Sequence, residues 1–130
     1  MQSFTLVIYA APTEQASSTA LAFAREVLAQ GHRIYRLFFY QDGVLNASSL
    51  LVPPQDERNL AAEWQALILQ HQLDAVICVA SALKRGIVDA EEADRYELSA
   101  CNLRDGFVIS GLGQLIDGVI QADRTVNFLP

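Results

Sequence analysis

Cys78 lies in the part of this sequence that is best suited to chemistry. The stretch from Ala75 to Gly86 is an apolar run that ends in a thiol, followed by small residues and then by Lys84 and Arg85. This pattern predicts a buried strand that turns at Cys78 into a helix or a helical turn. Unpaired N–H groups at a helix start and two nearby cations would favour a thiolate over a thiol. The alternative interpretation is a small buried hydrophobic residue, which is how most free cysteines behave.

The second thiol, Cys101, has a different setting. It stands beside no cation and near a predicted helix end, so a structural role fits it better than that of a resolving partner. Two cysteines are too few for a secreted disulfide framework, and their spacing matches no zinc motif. His32 and His71 are far apart and form no recognisable ligand pattern. We therefore expect reduced thiols and no metal site.

Two short motifs near Cys78 and further along the chain give weaker signals. Ser81 and Lys84 match the bare S-x-x-K spacing of serine acyltransferases, but the other motifs of that class are absent. Gly111 and Gly113 could begin a dinucleotide fingerprint, yet Ile116 stands where the third glycine is needed. A tight turn that opens a helix is the better account of these glycines.

The loop from Ala10 to Ala16 and the hydroxyls of Ser17, Ser18 and Thr19 could in principle hold a flavin phosphate. The loop has no glycine to bring backbone amides close to a phosphate, and hydroxyl residues before an apolar helix are usually caps. We expect no cofactor.

The composition limits the possible classes of protein. The chain has 130 residues, of which 52% are hydrophobic and 18% are charged, with a net charge of −6. These values predict one domain over residues 1–130, disfavour direct nucleic-acid binding and leave apolar surface for partners. No apolar stretch approaches the roughly 20 residues of a membrane helix, and the N-terminus lacks a basic signal region. A cytoplasmic protein without membrane contact is expected.

Short apolar runs alternate with segments of helical spacing, which is typical of βαβ units. The pattern predicts a single three-layer α/β/α domain with a mainly parallel sheet of about five strands. The predicted strands are Phe4–Tyr9, Arg33–Tyr40, Ala75–Val79, Phe107–Ser110 and Arg124–Phe128. The predicted helices are Ser17–Gln30, a helix from Leu60 that Asn59 caps, Asp89–Leu98, and a strongly amphipathic one from Leu112 to Ile120.

Several details of this arrangement bear on function. The segment from Val44 to Asn59 is the only long irregular connection, although a local helical turn within it is possible. Trp64 is expected in the core. The carboxylates of the Asp89–Leu98 helix are interpreted as surface charge rather than a metal site. Because sites gather at the carboxyl ends of parallel strands, we expect Cys78, the Ala10–Ala16 loop and the Ser110–Gly113 turn to share one rim.

Three separated segments carry a resemblance to a known family. The stretches Phe38–Ala47, Ile77–Asp89 and Asn102–Gly113 resemble, in the same order, the sulfur-carrier proteins of the DsrE/DsrF-like family, and most closely its TusD branch. The likeness extends through almost the whole chain. It implies an α/β/α fold and a sulfurtransferase in which Cys78 accepts sulfane sulfur as a persulfide. Cys101 matches no essential thiol of the family.

The resemblance also implies a pathway and partners. In the TusD branch the relay serves 2-thiolation of the tRNA wobble uridine, with TusB-like and TusC-like subunits in a heterohexamer, a TusA-like donor and a TusE-like acceptor. Lys84, Arg85 and Ser81 would support Cys78, the cations by stabilising a thiolate or by docking an acidic partner. We expect the subunit interface on helix faces or on the Val44–Pro54 loop. The alternatives are a DsrE-type subunit of dissimilatory sulfur oxidation and a noncatalytic scaffold subunit that buries the thiol.

Overall fold

The structure, a computed structural model, describes all residues 1–130 and consists of alternating strands and helices. The strands are β1 (Ser3–Ile8), β2 (Arg33–Phe39), β3 (Ala75–Cys78), β4 (Phe107–Ser110) and β5 (Arg124–Phe128). The helices are α1 (Gln15–Ala29), α2 (Leu60–His71), α3 (Val79–Lys84), α4 (Ala90–Arg95) and α5 (Gly113–Gln121), with a 3₁₀ helix at Gln41–Ala47. The longest helix has 15 residues, and none has the length and apolar character needed to cross a membrane.

The five strands form one sheet in the order β4-β3-β2-β1-β5, and every pairing is parallel. Helices cover both faces, so the predicted α/β class and three-layer arrangement are confirmed. One sheet with one main core agrees with a single domain over residues 1–130, which stays a prediction. The predicted bounds of β4 and β5 match the structure, those of β2 and β3 differ by one residue at the carboxyl end, and those of β1 differ by one residue at both ends.

The first face of the sheet carries the main core, a cluster of 20 buried residues. Leu6, Leu37 and Ile77 contribute to it from the strands, because alternate residues of a strand point to the same face. Trp64 on α2 is fully buried there, as predicted, and its ring meets that of Phe39 edge to face. Helices α1 and α2 supply most of the covering layer.

The start of α1 differs from the prediction. Ser17 was expected near the cap, but the helix begins at Gln15 and Ser17 is buried within it. Its hydroxyl donates to Asn46 Oδ1 at 2.8 Å and accepts from Trp64 Nε1 at 3.2 Å. Ser17 therefore joins α1, the 3₁₀ helix and α2 through a buried polar contact, which a local pattern does not reveal.

The second face of the sheet is covered more thinly. Its buried cluster has four residues, Val7, Phe38, Val76 and Cys78, and Leu115 of α5 packs against it. All other apolar side chains of this helix point outward. Leu112, Ile116, Val119 and Ile120 form this exposed stripe of α5.

Polar contacts hold α5 on the sheet. Arg36 of β2 donates to Asp117 Oδ2 at 2.8 Å and to the Gln114 carbonyl at 2.9 Å. The Thr5 hydroxyl donates to the Gly118 carbonyl at 2.8 Å, and a Cβ at Gly118 would stand 3.0 Å from the Thr5 side chain. The glycine therefore allows the close approach, while the apolar stripe stays free for contact with another molecule.

Two predictions about the middle of the chain need correction. The predicted Asp89–Leu98 helix is shorter, Ala90–Arg95, because the Asp89 carboxylate caps it by accepting from the Glu92 amide and because Glu97 has a positive φ of 55°. Glu92 is buried and not part of a solvated surface cluster. The helical turn considered for the Val44–Asn59 connection is present, as the 3₁₀ helix Gln41–Ala47.

Candidate functional site

Cys78 ends β3 and immediately precedes α3, as the sequence predicts. Its backbone is extended, so it occupies the N-cap position of α3, although its sulfur accepts no capping hydrogen bond from the helix. The first amides of a helix have no acceptor inside the helix, which leaves this end open to a negative group. In the sheet, Cys78 pairs with Ser110 of β4.

The thiol is buried and yet belongs to the wall of a cleft. Only 2% of Cys78 is exposed, a value that on its own would suit a structural cysteine. The same residue lines a cleft of about 470 Å³ at the carboxyl ends of β2 and β3. The other lining residues are Tyr40, Gln41, Val79, Ala80, Ser81, Lys84, Arg85 and Leu112. Cys78 is thus withdrawn from bulk solvent but lies beside a space large enough for a small substrate or the tip of a partner's side chain.

The three residues predicted to support Cys78 all line this cleft. Lys84 is exposed and makes no ion pair or hydrogen bond with the protein, and it is the only lysine of the chain. Arg85 instead is paired: Nε donates to Asp42 Oδ1 at 2.7 Å, and a terminal nitrogen donates to the Ser81 carbonyl at 3.1 Å. Of the two cations, only Lys84 is free to meet an anion in the cleft.

The segment after β2 forms the opposite wall, and the sequence did not predict it. The Gln41 amide donates to the Ser81 hydroxyl at 3.0 Å, and Gln41 has a positive φ of 51°, which is uncommon for a residue with a side chain. Gly43 follows so close to β1 that a Cβ would stand 1.9 Å from the Ile8 carbonyl oxygen. The order of the strands explains the contact between Gln41 and Ser81, since β2 and β3 are neighbours and end at the same edge of the sheet.

The expectation of a single rim is only partly right. Leu112 of the Ser110–Gly113 turn reaches the Cys78 cleft. The loop after β1 does not: Pro12, Thr13 and Glu14 line a separate cavity of about 650 Å³ between the starts of α1 and α2. The reason is that the 3₁₀ helix packs against the end of β1 and stands between the two spaces, since Asn46 Nδ2 donates to the Ala10 carbonyl at 2.9 Å.

The remaining candidates lie outside the cleft. Cys101 is exposed, and the structural role expected for it stays a prediction. His32 lies between α1 and β2, where its Nδ1 accepts from the Gln2 amide at 3.0 Å, as expected for a polar residue at an element boundary.

Comparison with protein families places this geometry in context. The model of the DsrE/DsrF-like family matches residues 2–128, nearly the whole chain. The chain belongs to the DsrE/DsrF-like family. The resemblance of its three segments is therefore confirmed, and the cleft around Cys78 is a site within a DsrE/DsrF-like fold.

Curated relatives support the same assignment. The DsrE protein of Allochromatium vinosum is 50% identical over 126 residues, which are 96% of this chain and 97% of that protein. Sulfurtransferase TusD of Pectobacterium carotovorum is 49% identical over 116 residues, 89% of each chain. A sulfurtransferase TusD homologue of Pseudomonas aeruginosa is 47% identical over 125 residues, 96% and 95% of the two chains. The prediction of a sulfurtransferase is confirmed as an activity class.

A solved structure confirms the fold. The YchN protein of Escherichia coli superposes with a TM-score of 0.78 at 21% sequence identity, over 98% of this chain and all of that one. At this identity the likeness concerns the fold alone.

Proposed function

We propose that this DsrE/DsrF-like protein is a sulfur-relay subunit that accepts sulfane sulfur as a persulfide on Cys78. The observation that carries the proposal is the position of Cys78, which ends β3 and lines a cleft together with the unpaired cation Lys84. A relay thiol must attack a sulfur atom as thiolate, and then remain open to attack by the next thiolate.

The proposed reaction has two steps. The Cys78 thiolate attacks the outer sulfur of a donor persulfide; a sulfur–sulfur bond forms at Cys78, the bond within the donor breaks, and the donor leaves as a thiolate. An acceptor thiolate then attacks the outer sulfur on Cys78 and restores the Cys78 thiolate. Neither step needs an oxidant or a reductant, since one sulfur atom moves between thiolates.

Lys84 and Arg85 have different proposed tasks. Lys84 would stabilise the anionic sulfur or contact an acidic partner, because the lining of the cleft contains no carboxylate that could pair with its side chain. Arg85 would hold the cleft wall in place, since it joins α3 to the 3₁₀ helix through Asp42. We expect Lys84→Ala to slow alkylation of Cys78 near neutral pH more than Arg85→Ala does, with circular dichroism as a control for folding.

The acceptor is proposed to be a downstream carrier protein of tRNA wobble-uridine 2-thiolation, as in the TusD branch. The TusD names of several relatives support this pathway. The 50% identity to the Allochromatium DsrE protein supports the second candidate, a subunit of dissimilatory sulfur oxidation. Restoration of thiolated tRNA in a strain that lacks its own TusD would support the first pathway, and a failure with soluble, folded protein would favour the second.

The proposed partners are TusB-like and TusC-like subunits in a heterohexamer, with a TusA-like donor and a TusE-like acceptor. Two exposed apolar regions support an interface of the predicted kind. One is the exposed stripe of α5, and the other is the tip of the Val44–Pro54 loop, where Leu50 and Val52 are exposed.

Cys78→Ser tests the proposal. It should abolish transfer of sulfur from a donor persulfide to the acceptor protein, because a serine hydroxyl is not ionised at neutral pH and cannot hold a persulfide. Cys101→Ser is the matched control and should retain transfer. Unchanged transfer by Cys78→Ser would contradict the proposal and favour a scaffold subunit.

A further inference from the structure

Cys78 and Ser81 form a Cys-x-x-Ser pair across the turn from β3 to α3. Cys78 is the N-cap residue of α3, and Ser81 is the third residue of that helix. These are the two positions that a capping box pairs, where each side chain bonds to the backbone amide of the other residue. Both residues line the same cleft.

The Ser81 hydroxyl is nearly buried, with 6% of the residue exposed. It accepts a hydrogen bond from the Gln41 amide at 3.0 Å, but no atom of the protein accepts its own proton. Buried donors almost always have an acceptor. Because Ser81 lines the cleft, its hydroxyl proton is available to water or to a group that the cleft holds.

Resting on the proposed function, we infer that Ser81 determines the fate of the sulfur on Cys78. Its hydroxyl donates to the outer sulfur of the persulfide, which extends about 2 Å beyond the Cys78 sulfur. Its oxygen also stands where a second thiol would stand in a Cys-x-x-Cys pair. Because no second thiol stands there, the sulfur is transferred only to a thiol of another protein.

The reaction that Ser81 excludes is the release of hydrosulfide by a second thiolate of the same chain. A thiolate at the position of Ser81 would attack the inner sulfur on Cys78. A disulfide would form between the two side chains, the sulfur–sulfur bond of the persulfide would break, and the outer sulfur would leave as hydrosulfide. The spacing is one at which disulfides form readily. A serine hydroxyl, which stays protonated at neutral pH, does not perform this attack.

Ser81→Cys tests the inference directly. The experiment uses chains with Cys101→Ser, so that Cys78 is the only other thiol, and loads them with glutathione persulfide before the donor is removed. We expect the Ser81→Cys chain to release about one hydrosulfide per loaded chain and to form an internal disulfide, seen by mass spectrometry. The chain with Ser81 should keep its sulfur over the same time and release it when an acceptor thiol is added.

Two further variants isolate the cause. Ser18→Cys places a new thiol in the other cavity and should not release sulfide. Ser81→Ala removes the hydroxyl without adding a thiol and should form no internal disulfide. Sulfide release from Ser81→Ala as fast as from Ser81→Cys would overturn the inference, because the second thiol would not be the cause.

The outcomes separate the inference from the proposed function. If the chain with Ser81 takes up no sulfur on Cys78, the proposed function fails. If it takes up sulfur and Ser81→Cys retains that sulfur, only the inference about Ser81 fails. Should Ser81→Cys not fold, rapid loss of sulfide from the loaded chain with Ser81, without an acceptor, would equally overturn it.

Discussion

On one face of the sheet, 20 buried residues from strands and helices form the main core, whereas on the other face a nine-residue helix covers a cluster of four. The first face buries its apolar side chains and joins its layers through the contact between Ser17 and Trp64. On the second face, the ion pair between Arg36 and Asp117 holds α5 against the sheet, and the apolar stripe of this helix stays exposed.

The two faces of the sheet therefore differ in what they contribute, since the first mainly stabilises the protein and the second carries the candidate site. The residues that fold the sheet lie mostly on the first face, while Cys78 belongs to the small cluster of the second face. For the proposed exchange of sulfur with partners, a thiol is better placed under a thin layer than in a close-packed core. Substitutions on the two faces should therefore have different consequences.

The largest effect on stability is expected from Trp64→Ala on the first face. Removing this fully buried side chain should lower the free energy of unfolding by about 3–5 kcal/mol, because it leaves a cavity and removes the hydrogen bond that Trp64 donates to the Ser17 hydroxyl. Urea denaturation measures the change. Trp64→Phe, which keeps most of the volume, should cost less. A loss below about 1 kcal/mol for the alanine variant would contradict the assignment of the main core.

A smaller effect is expected from Asp117 on the second face. Its pKa is lowered by the hydrogen bond from the Tyr35 hydroxyl and by Arg36. A carboxylate with a lowered pKa adds stability above its unfolded value and loses that contribution as the pH falls through the folded value. The stability of the native chain should thus fall with acid below the ordinary value of 3.8, and Asp117→Asn should remove part of this dependence.

Urea denaturation at several values between about pH 2 and pH 6 measures this slope. Asp56→Asn is the matched control, because Asp56 is exposed and makes no ion pair. Identical slopes for the native chain and Asp117→Asn would show that the ion pair does not hold α5.

The smallest effect on stability is expected from the exposed stripe of α5. Replacing both Ile116 and Ile120 by serine should change the free energy of unfolding by no more than about 0.5 kcal/mol, since neither side chain is buried. The same change should weaken association with co-expressed TusB-like and TusC-like subunits, measured by light scattering. A large loss of stability with unchanged association would show that this face packs within the chain.

Local patterns in the sequence predicted the strands well, and they predicted the turn that positions Cys78, because an apolar run followed by small residues is a local signal. The contact of Arg85 with Asp42 was not predictable, since it depends on β2 lying beside β3. The orientation of α5 was not predictable either. Helical spacing shows that one face is apolar, but not whether that face meets the sheet or another molecule.

The two thiols provide the most demanding test of the proposed function, because the less exposed cysteine is the one proposed to react. Cys101 is exposed and Cys78 is 2% exposed, yet Cys78 is the proposed acceptor. The decisive measurement is peptide-resolved mass spectrometry after treatment of the native chain with a limiting amount of persulfide donor. We predict one added sulfur on the peptide that contains Cys78 and none on that of Cys101. Sulfur on Cys101 with an unmodified Cys78 would contradict the central claim.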